Sequence, residues 1–249
     1  MRIISIANQK GGTAKTSTAH AIAAGATYKG KKALAVDCDP QGNLSFIFNA
    51  DTARAGTYEI IKGQATAAEA IQHTAQGDII PASLNLAGAD TEFAGQPGRD
   101  FFLKAALDPL QGLYDVVVID TPPTLGTLII NALTASTEVI IPINADILSL
   151  QGLYQLKATI DQVKRYCNRE LQISGILLTR YSRRTILARD LKETIEAKGQ
   201  ELGIPVFNTY IRDGVAVKEA QTVQQNLFTY APKSNPAKDY MRFFDEIRL

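Results

Sequence analysis

The sequence predicts a doubly wound α/β fold, in which a mostly parallel β-sheet carries helices on both faces. Short apolar runs rich in β-branched residues recur along the chain and alternate with longer segments of helical composition. Runs that are apolar on both sides are typical of parallel strands buried under crossover helices. The chain has 249 residues, of which 45% are hydrophobic, and this predicts a single domain over residues 1–249.

Strands and helices follow from these runs in chain order. The predicted strands are RIISIA at 2–7, KALAVD at 32–37, DIIP at 78–81, DVVVID at 115–120, EVIIPI at 138–143, ISGILLT at 173–179 and IPVFN at 204–208. The predicted helices cover 16–28, 99–107, 147–166 and 185–198. Thr66 and Glu69 have capping-box spacing, and Gly30 stands where a helix C-terminal glycine belongs. Loops and short helices are expected over 50–98.

The stretch NQKGGTAKT at 8–16 predicts a phosphate-binding loop, because it joins the first strand to a helix. Glycines let the backbone turn its N–H groups toward phosphate oxygens. Lys15 is expected to reach the β and γ phosphates, and Thr16 to ligate Mg²⁺. Gln9 and Ala14 stand where the usual pattern has glycine, and a further lysine precedes the glycine pair. The predicted nucleotide-binding residues are Lys10, Gly11, Gly12, Thr13, Ala14, Lys15, Thr16 and Ser17.

Carboxylates at two other strand ends are expected beside this loop, since ligands bind at the carboxyl ends of parallel strands. Asp37 and Asp39 follow the second strand in DCDPQG. Such a pair either orients an attacking water and supports Mg²⁺, or forms a turn. Asp120 ends VVVID and precedes a rigid TPP. This form is expected of an acid that holds Mg²⁺ through water, with strand capping as the alternative.

Charge and cysteine content restrict the function classes. The net charge is only +1, but residues 157–198 carry ten Lys/Arg against five Asp/Glu, which predicts one basic face. Cys38 and Cys167 lie outside any metal-ligand spacing and are expected to be free thiols in a reducing cytosol. The sequence has no apolar stretch of roughly 18 residues, so we expect a cytoplasmic protein that does not engage a membrane.

Three ordered motifs, KGGTAKT, DCDPQGN and VVVIDTPP, resemble the ParA (Soj-like) family of deviant Walker A partition ATPases. The similarity continues through LLTRYSRRT to EAQTVQQNLFTYAPKSNPAKDY. It implies an ATPase that uses ATP and Mg²⁺ and forms a homodimer on ATP binding. It also implies that Lys10 contacts the nucleotide of the other subunit. The implied catalytic residues are Lys10, Lys15 and Asp39, and the implied magnesium site has Thr16 as direct ligand, supported by Asp37 and Asp120.

The basic stretch predicts contact with DNA, because clustered Arg and Lys neutralise phosphates without reading bases. The alternative is a solvated helix face, since Asp190, Glu193 and Glu196 are interleaved there. The resemblance implies non-specific binding of double-stranded DNA, nucleoid association and a ParB-like centromere-binding partner that stimulates hydrolysis. Because the first strand starts at Arg2, no operator-reading helix-turn-helix is expected ahead of it. The predicted DNA-contacting residues are Arg180, Arg183, Arg184, Arg212 and Lys218.

Two residues depart from the family pattern, which most often has glycine at Ala14 and frequently arginine at Ala216. Four alternatives remain from sequence: positioning of a non-DNA cargo, a MinD-like membrane-cycling ATPase, a nucleotide-gated DNA switch with negligible turnover, and an iron-protein reductase. The stretch DYMRFFDEIRL at 239–249 has an acidic balance, so it is expected to pack on the domain rather than on anionic lipid. For adenine recognition, position alone suggests Thr179 and the turn at 211–213.

Overall fold

The computed structural model describes residues 1–144, 148–182 and 186–249, and within these residues a sheet of eight strands forms the centre of the fold. Its order is β3-β4-β2-β5-β1-β6-β7-β8. Strand β3 pairs with β4 antiparallel, and the other neighbouring pairs are parallel. The strands are β1 Arg2–Ile6, β2 Ala33–Asp37, β3 Gln72–Thr74, β4 Gly77–Ile80, β5 Val116–Asp120, β6 Glu138–Asn144, β7 Gln172–Tyr181 and β8 Val206–Arg212. The predicted fold class is therefore confirmed.

Helices connect the strands and cover the sheet. They are α1 Lys15–Tyr28, α2 Asn43–Ile47, α3 Thr57–Ile61, α4 Ala67–Ala70, α5 Ala89–Glu92, α6 Phe102–Leu107, α7 Thr127–Ala135, α8 Leu148–Tyr166, α9 Ile186–Leu202, α10 Val215–Thr222, α11 Leu227–Tyr230 and α12 Asn235–Glu246. The capping box forms, with Thr66 N donating to Glu69 Oε2 at 2.8 Å and Glu69 N to Thr66 Oγ1 at 3.3 Å. Gly30 follows α1 with φ of 80°, as expected of a helix C-terminal glycine.

Successive residues of each central strand bury their side chains on opposite faces. Val118 of β5 belongs to the apolar cluster that includes Phe244 of α12. Its neighbour Val117 belongs to a second cluster, together with Leu103 of α6 and residues of α7. A third cluster joins β6 and β7 to α8 and α9. Burial on both faces explains why the strands read as continuous apolar runs rather than alternating ones.

The C-terminal helix α12 is part of the core. Phe243 and Phe244 are fully buried, and Leu249 just beyond the helix is 6% exposed. Gly25 of α1 lies against the Phe244 ring so closely that a Cβ at this position would overlap it. The expectation that residues 239–249 pack on the domain is thus confirmed. In the part of the chain that the structure describes, no helix combines the length and apolarity needed to cross a bilayer.

Candidate nucleotide site

The loop between β1 and α1 is held in place by the ends of neighbouring strands. Asn8 Nδ2 donates to the Pro142 carbonyl at 2.6 Å, while Asn8 Oδ1 accepts from Lys10 N at 3.0 Å. From β6, Asn144 Nδ2 donates to the Gly12 carbonyl at 3.2 Å. From β7, Thr179 Oγ1 donates to the Thr13 carbonyl at 3.1 Å. Neither Asn8 nor Asn144 was predicted from the sequence, although each is an amide at the end of an apolar strand.

The middle of this loop has left-handed backbone conformation. Gly11 and Gly12 are exposed, whereas Thr13 is buried. Gly12 has φ of 76°, and Ala14, the residue before α1, has φ of 64° and ψ of 29°. For a residue with a Cβ this conformation costs about 1 to 2 kcal/mol, and glycine adopts it freely. The departure from the family pattern at Ala14 therefore places a strained residue in the phosphate loop.

Lys15 lies in the protein interior beside two carboxylates. The residue is 7% exposed, and its Nζ donates to the Lys10 carbonyl at 3.3 Å. Burial lowers the pKa of Lys15, and the charges of Asp120 and Asp39 partly offset this effect. An ammonium group has three N–H donors, so Lys15 can bind a phosphate oxygen while it keeps its bond to the Lys10 carbonyl.

Asp120, at the end of β5, is fully buried, and neither carboxylate oxygen has a hydrogen-bond partner among the described residues. Burial raises the pKa of Asp120 well above its usual range, and the nearby Asp37 adds to the rise, while the Thr16 hydroxyl lies close enough to lower it. A buried, unpartnered carboxylate next to a threonine hydroxyl fits a hydrated magnesium ion, which prefers oxygen ligands and keeps several waters. Thr16 and Asp120 therefore fit the group that the sequence motifs imply.

At the end of β2, both carboxylate oxygens of Asp37 accept hydrogen bonds from other residues of the protein. Its Oδ1 accepts from Asp39 N at 3.1 Å, and its Oδ2 accepts from Ser45 N at 2.8 Å and from Ser45 Oγ at 2.7 Å. Burial raises the pKa of Asp37 to about 6, and the bonds from Ser45 act against this rise. These bonds make Asp37 the organiser of the loop that carries Asp39. The support for Mg²⁺ predicted for Asp37 stays a prediction, and these bonds favour an indirect role, through the position of Asp39.

Asp39 lies in the turn after β2, 7% exposed. Its Oδ1 accepts from Gln41 N at 3.0 Å, and its carbonyl accepts from Gly42 N at 2.9 Å. The turn predicted from the sequence is therefore present, and the charge of Asp39 acts on the Lys15 ammonium, which puts Asp39 near the phosphate loop. Its role in orienting the attacking water stays a prediction. The site consequently has an acid at each of two neighbouring strand ends.

A cleft lies beside the phosphate loop and consists of two adjacent cavities that share Ser17, Lys218 and Gln221. Gln221 Nε2 donates to Ser17 Oγ at 3.0 Å, which ties α10 to α1. The smaller cavity, of ≈ 60 Å³, is lined by Ala14, Ser17, Thr179, Arg180, Ile211, Arg212, Asp213, Gly214, Val217, Lys218, Gln221 and Tyr240. The two positions suggested for adenine recognition both line it.

The predicted DNA-contacting residues fall into three groups. Arg180 and Lys218 are exposed and line the cleft. Arg212 also lines the cleft, but its guanidinium is held by Asp239, with Nε to Oδ2 at 2.8 Å and Nη2 to Oδ1 at 2.7 Å. This bidentate pair uses the Arg212 guanidinium within the protein, although the side chain is 35% exposed, so its contact with DNA stays a prediction. Arg183 and Arg184 lie outside the described residues.

The helix that follows these arginines neutralises much of its own charge. Lys192 pairs with Glu196 at 2.6 Å, and Lys198 pairs with Glu201 at 2.6 Å. This is the solvated helix face that the sequence left open as the alternative. The basic residues of α9 that form these pairs therefore contribute little net positive charge.

The described residues offer no cluster of three or more His, Cys, Asp or Glu side chains that could hold a metal ion. Cys38 is fully buried and Cys167 half-buried, and both are free thiols. Burial raises the pKa of both thiols. Thiols with raised pKa are poor metal ligands and nucleophiles, because the thiolate is the reactive form.

Residues 1–173 match a family model described as an AAA domain. The Bacillus subtilis sporulation initiation inhibitor protein Soj is 38% identical, over 99% of this chain and 98% of its own length. The Thermus thermophilus chromosome-partitioning ATPase Soj is 37% identical, over 99% of this chain and 95% of its own. A Mycobacterium smegmatis structure named cobyrinic acid a,c-diamide synthase, with bound ADP and magnesium, is 34% identical with a TM-score of 0.87, covering 100% of this chain and 94% of that chain.

Proposed function

The chain belongs to the family of Soj and ParA partition ATPases, and we propose that it works in partition as an ATP-gated switch that binds DNA without sequence specificity. Its reaction is the hydrolysis of ATP, and its cofactor is magnesium. In this proposal residues 1–249 act as a single domain. ATP binding joins two subunits, the dimer binds double-stranded DNA on the nucleoid, and hydrolysis releases it.

One observation carries the proposal: a single phosphate loop holds two lysines, Lys10 and Lys15, next to two buried acids at neighbouring strand ends. Lys15 holds the phosphates of its own subunit, and Lys10 contacts the nucleotide of the second subunit. A positive charge supplied by a partner stabilises the charge that develops on the transferring phosphoryl group. ATP thereby becomes part of the interface, which makes dimer formation depend on nucleotide.

The acids take different parts in the proposed reaction. Asp39 orients the attacking water, and its loop is held for this purpose by Asp37. Thr16 and Asp120 would hold the magnesium ion. The ion neutralises charge on the β and γ phosphates when it is bound. The base of ATP occupies the side of the cleft near Thr179 and Asp213, which is supported by their position beside the phosphate loop.

DNA binding is proposed for the exposed Arg180 and Lys218, together with Arg183 and Arg184 of the same basic stretch. A dimer doubles a modest patch and so raises its affinity steeply without any new type of contact. A separate ParB-like centromere-binding protein supplies sequence recognition and stimulates hydrolysis. A membrane-cycling role is disfavoured because Phe243 and Phe244, which an amphipathic C-terminal helix would present to lipid, are fully buried.

The test is binding to a random-sequence duplex with ATP, ADP or no nucleotide, titrated across salt concentrations. We expect salt-sensitive binding by the wild type with ATP alone, and its loss in Lys10→Ala. Lys104→Ala, which removes an exposed lysine of α6 distant in sequence from the loop, is the matched control and should bind like the wild type. Lack of binding in every nucleotide state would refute the DNA-binding proposal and direct attention to a protein cargo.

A further inference from the structure

A segment between β4 and α6 spans the distance between the two acidic loops of the nucleotide site. We call residues 81–92 the bridging segment. It contains a short 3-10 turn, Leu84–Gly88, followed by α5. Leu86 and Ala89 are each 1% exposed and fix the segment to the core. Its position is therefore set by packing, and it can transmit a constraint from one end to the other.

The first end of the bridging segment is bonded to the loop that carries Asp39. Ala82 N donates to Ser45 Oγ at 2.8 Å, and the same hydroxyl donates to Asp37 Oδ2 at 2.7 Å. Asp37 in turn accepts from Asp39 N at 3.1 Å. Ser45 and Asp37 are both 0% exposed. A continuous chain of buried hydrogen bonds thus connects the segment to the residue proposed to orient the attacking water.

The second end is bonded to the loop that follows Asp120. Asp90 Oδ1 accepts from Thr127 N, the first amide of α7, at 2.5 Å. Gly126 stands at the N-cap of α7 and has no side chain to satisfy this amide. Asp90 therefore supplies the cap from elsewhere in the chain. A Cβ at Gly126 would overlap the Asp90 carboxylate, so glycine is needed here to admit it.

The loop between Asp120 and α7 is thereby tied at both ends. At its start, Thr121 Oγ1 donates to the Ile6 carbonyl of β1 at 2.9 Å. At its end stands the bond from Thr127 to Asp90. We propose that Asp90 is a positioning residue for ATP hydrolysis: it fixes the loop after Asp120 and, through the bridging segment and Ser45, couples that loop to Asp39. The proposal concerns hydrolysis and does not depend on DNA binding.

The first test compares Asp90→Ala with Asp90→Asn, using ATP turnover and ATP affinity as readouts. Asp90→Ala should lower kcat by about fivefold, the factor that corresponds to one lost helix cap, while the Kd for ATP stays within about twofold. Asn retains an acceptor oxygen and should restore kcat to within about twofold of wild type. Thr91→Ala, at the neighbouring exposed position of α5, is the control and should not change kcat. Wild-type kcat in Asp90→Ala, or an equal loss in Asp90→Asn, would overturn the proposal.

A second set of variants tests the coupling itself. Gly126→Ala should displace the Asp90 carboxylate and lower kcat as Asp90→Ala does, and the double variant should be no slower than either single one. Ser45→Ala combined with Asp90→Ala should likewise lose less than the product of the single effects. Multiplicative losses in the double variant of Ser45→Ala and Asp90→Ala would show that the two ends are not coupled. Multiplicative losses in the double variant of Gly126→Ala and Asp90→Ala would show that Gly126 does not act through Asp90. Both sets of variants are measured by ATP turnover, which does not require DNA. If the wild type hydrolyses ATP but does not bind DNA, the proposed DNA-binding function is overturned, while the role of Asp90 in hydrolysis can still be tested.

Discussion

Arg212 and Asp239 form a bidentate ion pair that joins the end of β8 to α12. The Arg212 backbone N also donates to Asp239 Oδ2, at 3.0 Å, and Arg242 binds the same carboxylate. Burial opposes ionisation of Asp239, but the hydrogen bonds from Arg212 and Arg242 outweigh it and lower its pKa. A charge removed from water in this way must keep its partners.

Arg212→Ala should therefore destabilise the protein by about 2 to 3 kcal/mol, less than a buried charge left with no partner, because Arg242 remains. Arg242, whose side chain is 63% exposed, should cost about 1 kcal/mol or less when replaced by alanine. Urea unfolding of the two variants measures the difference. Equal effects at both positions would contradict the assignment of Arg212 as the principal partner.

Alanine substitution of the two lysines of the phosphate loop should change different constants, ATP affinity for Lys15 and kcat for Lys10. Lys15→Ala removes a buried charge from the site and should weaken ATP binding by about 30-fold or more. Lys10→Ala should leave the Kd for ATP within about threefold but reduce kcat by about 100-fold or more, as loss of a charge supplied in trans does. Isothermal titration and phosphate release measure the two constants. Wild-type turnover by Lys10→Ala would refute its proposed role.

Ala14→Gly should stabilise the protein. Glycine adopts the left-handed conformation without strain, which should raise the free energy of unfolding by about 1 to 2 kcal/mol. Glycine also gives the unfolded chain more conformational freedom, which should lower the free energy of unfolding by about 0.4 to 1 kcal/mol. The same substitution at Ala197, an exposed residue within α9, should destabilise by about 1 kcal/mol. Thermal and urea unfolding compare the pair, and opposite signs are expected. A loss of stability in Ala14→Gly would argue that the loop relaxes in solution.

His20 should make the protein sensitive to mild acid. It is buried in α1 and bonded to Gln76 Oε1 at 2.7 Å, and burial lowers its pKa from 6.5 to about 4. Between these values the unfolded state takes up a proton that the folded state refuses, so stability falls as the pH drops. The contribution approaches about 3 kcal/mol near pH 4.

The measurement is the free energy of unfolding of wild type and His20→Gln from pH 7 to pH 4.5. The variant should lose less stability over this range. Asp37 acts in the opposite direction, because its raised pKa makes the folded state bind a proton more readily than the unfolded state as the pH falls. Both proteins contain Asp37, so its contribution cancels in the difference between their free energies of unfolding. Parallel curves for the two proteins would show that His20 does not titrate as its burial implies.

The elements that the sequence predicted well are those with a strong local signal. Buried runs such as residues 115–120 could be read directly, and the loop at 8–16 combined strand, glycines and helix in a recognisable order. The short strand β3 was missed because QHT has no apolar run and owes its conformation to pairing with β4. Its existence depends on a hairpin partner rather than on its own composition.

The polar contacts that complete the site could not be predicted, because they join distant parts of the chain. Asp90 and Thr127 are separated by 37 positions, and Ser45 and Ala82 by 37 as well. Neither pair has a motif that marks it. Arg212 is a further example, since a basic residue near a nucleotide loop suggests an external ligand, whereas the structure pairs its guanidinium with the buried Asp239 of α12.

The place of β1 in the sheet has a consequence for hydrogen exchange. This strand pairs with β5 from Arg2 to Ile6 and with β6 from Ile4 to Ile6, so Ile4 and Ser5 have a neighbouring strand on each side. Their amide protons should exchange only when the whole domain unfolds, whereas those of the edge strand β3 should exchange through local opening. The phosphate loop therefore begins at the end of a strand whose amide protons are expected to exchange most slowly. A change in the shape of the loop on nucleotide binding need not disturb β1.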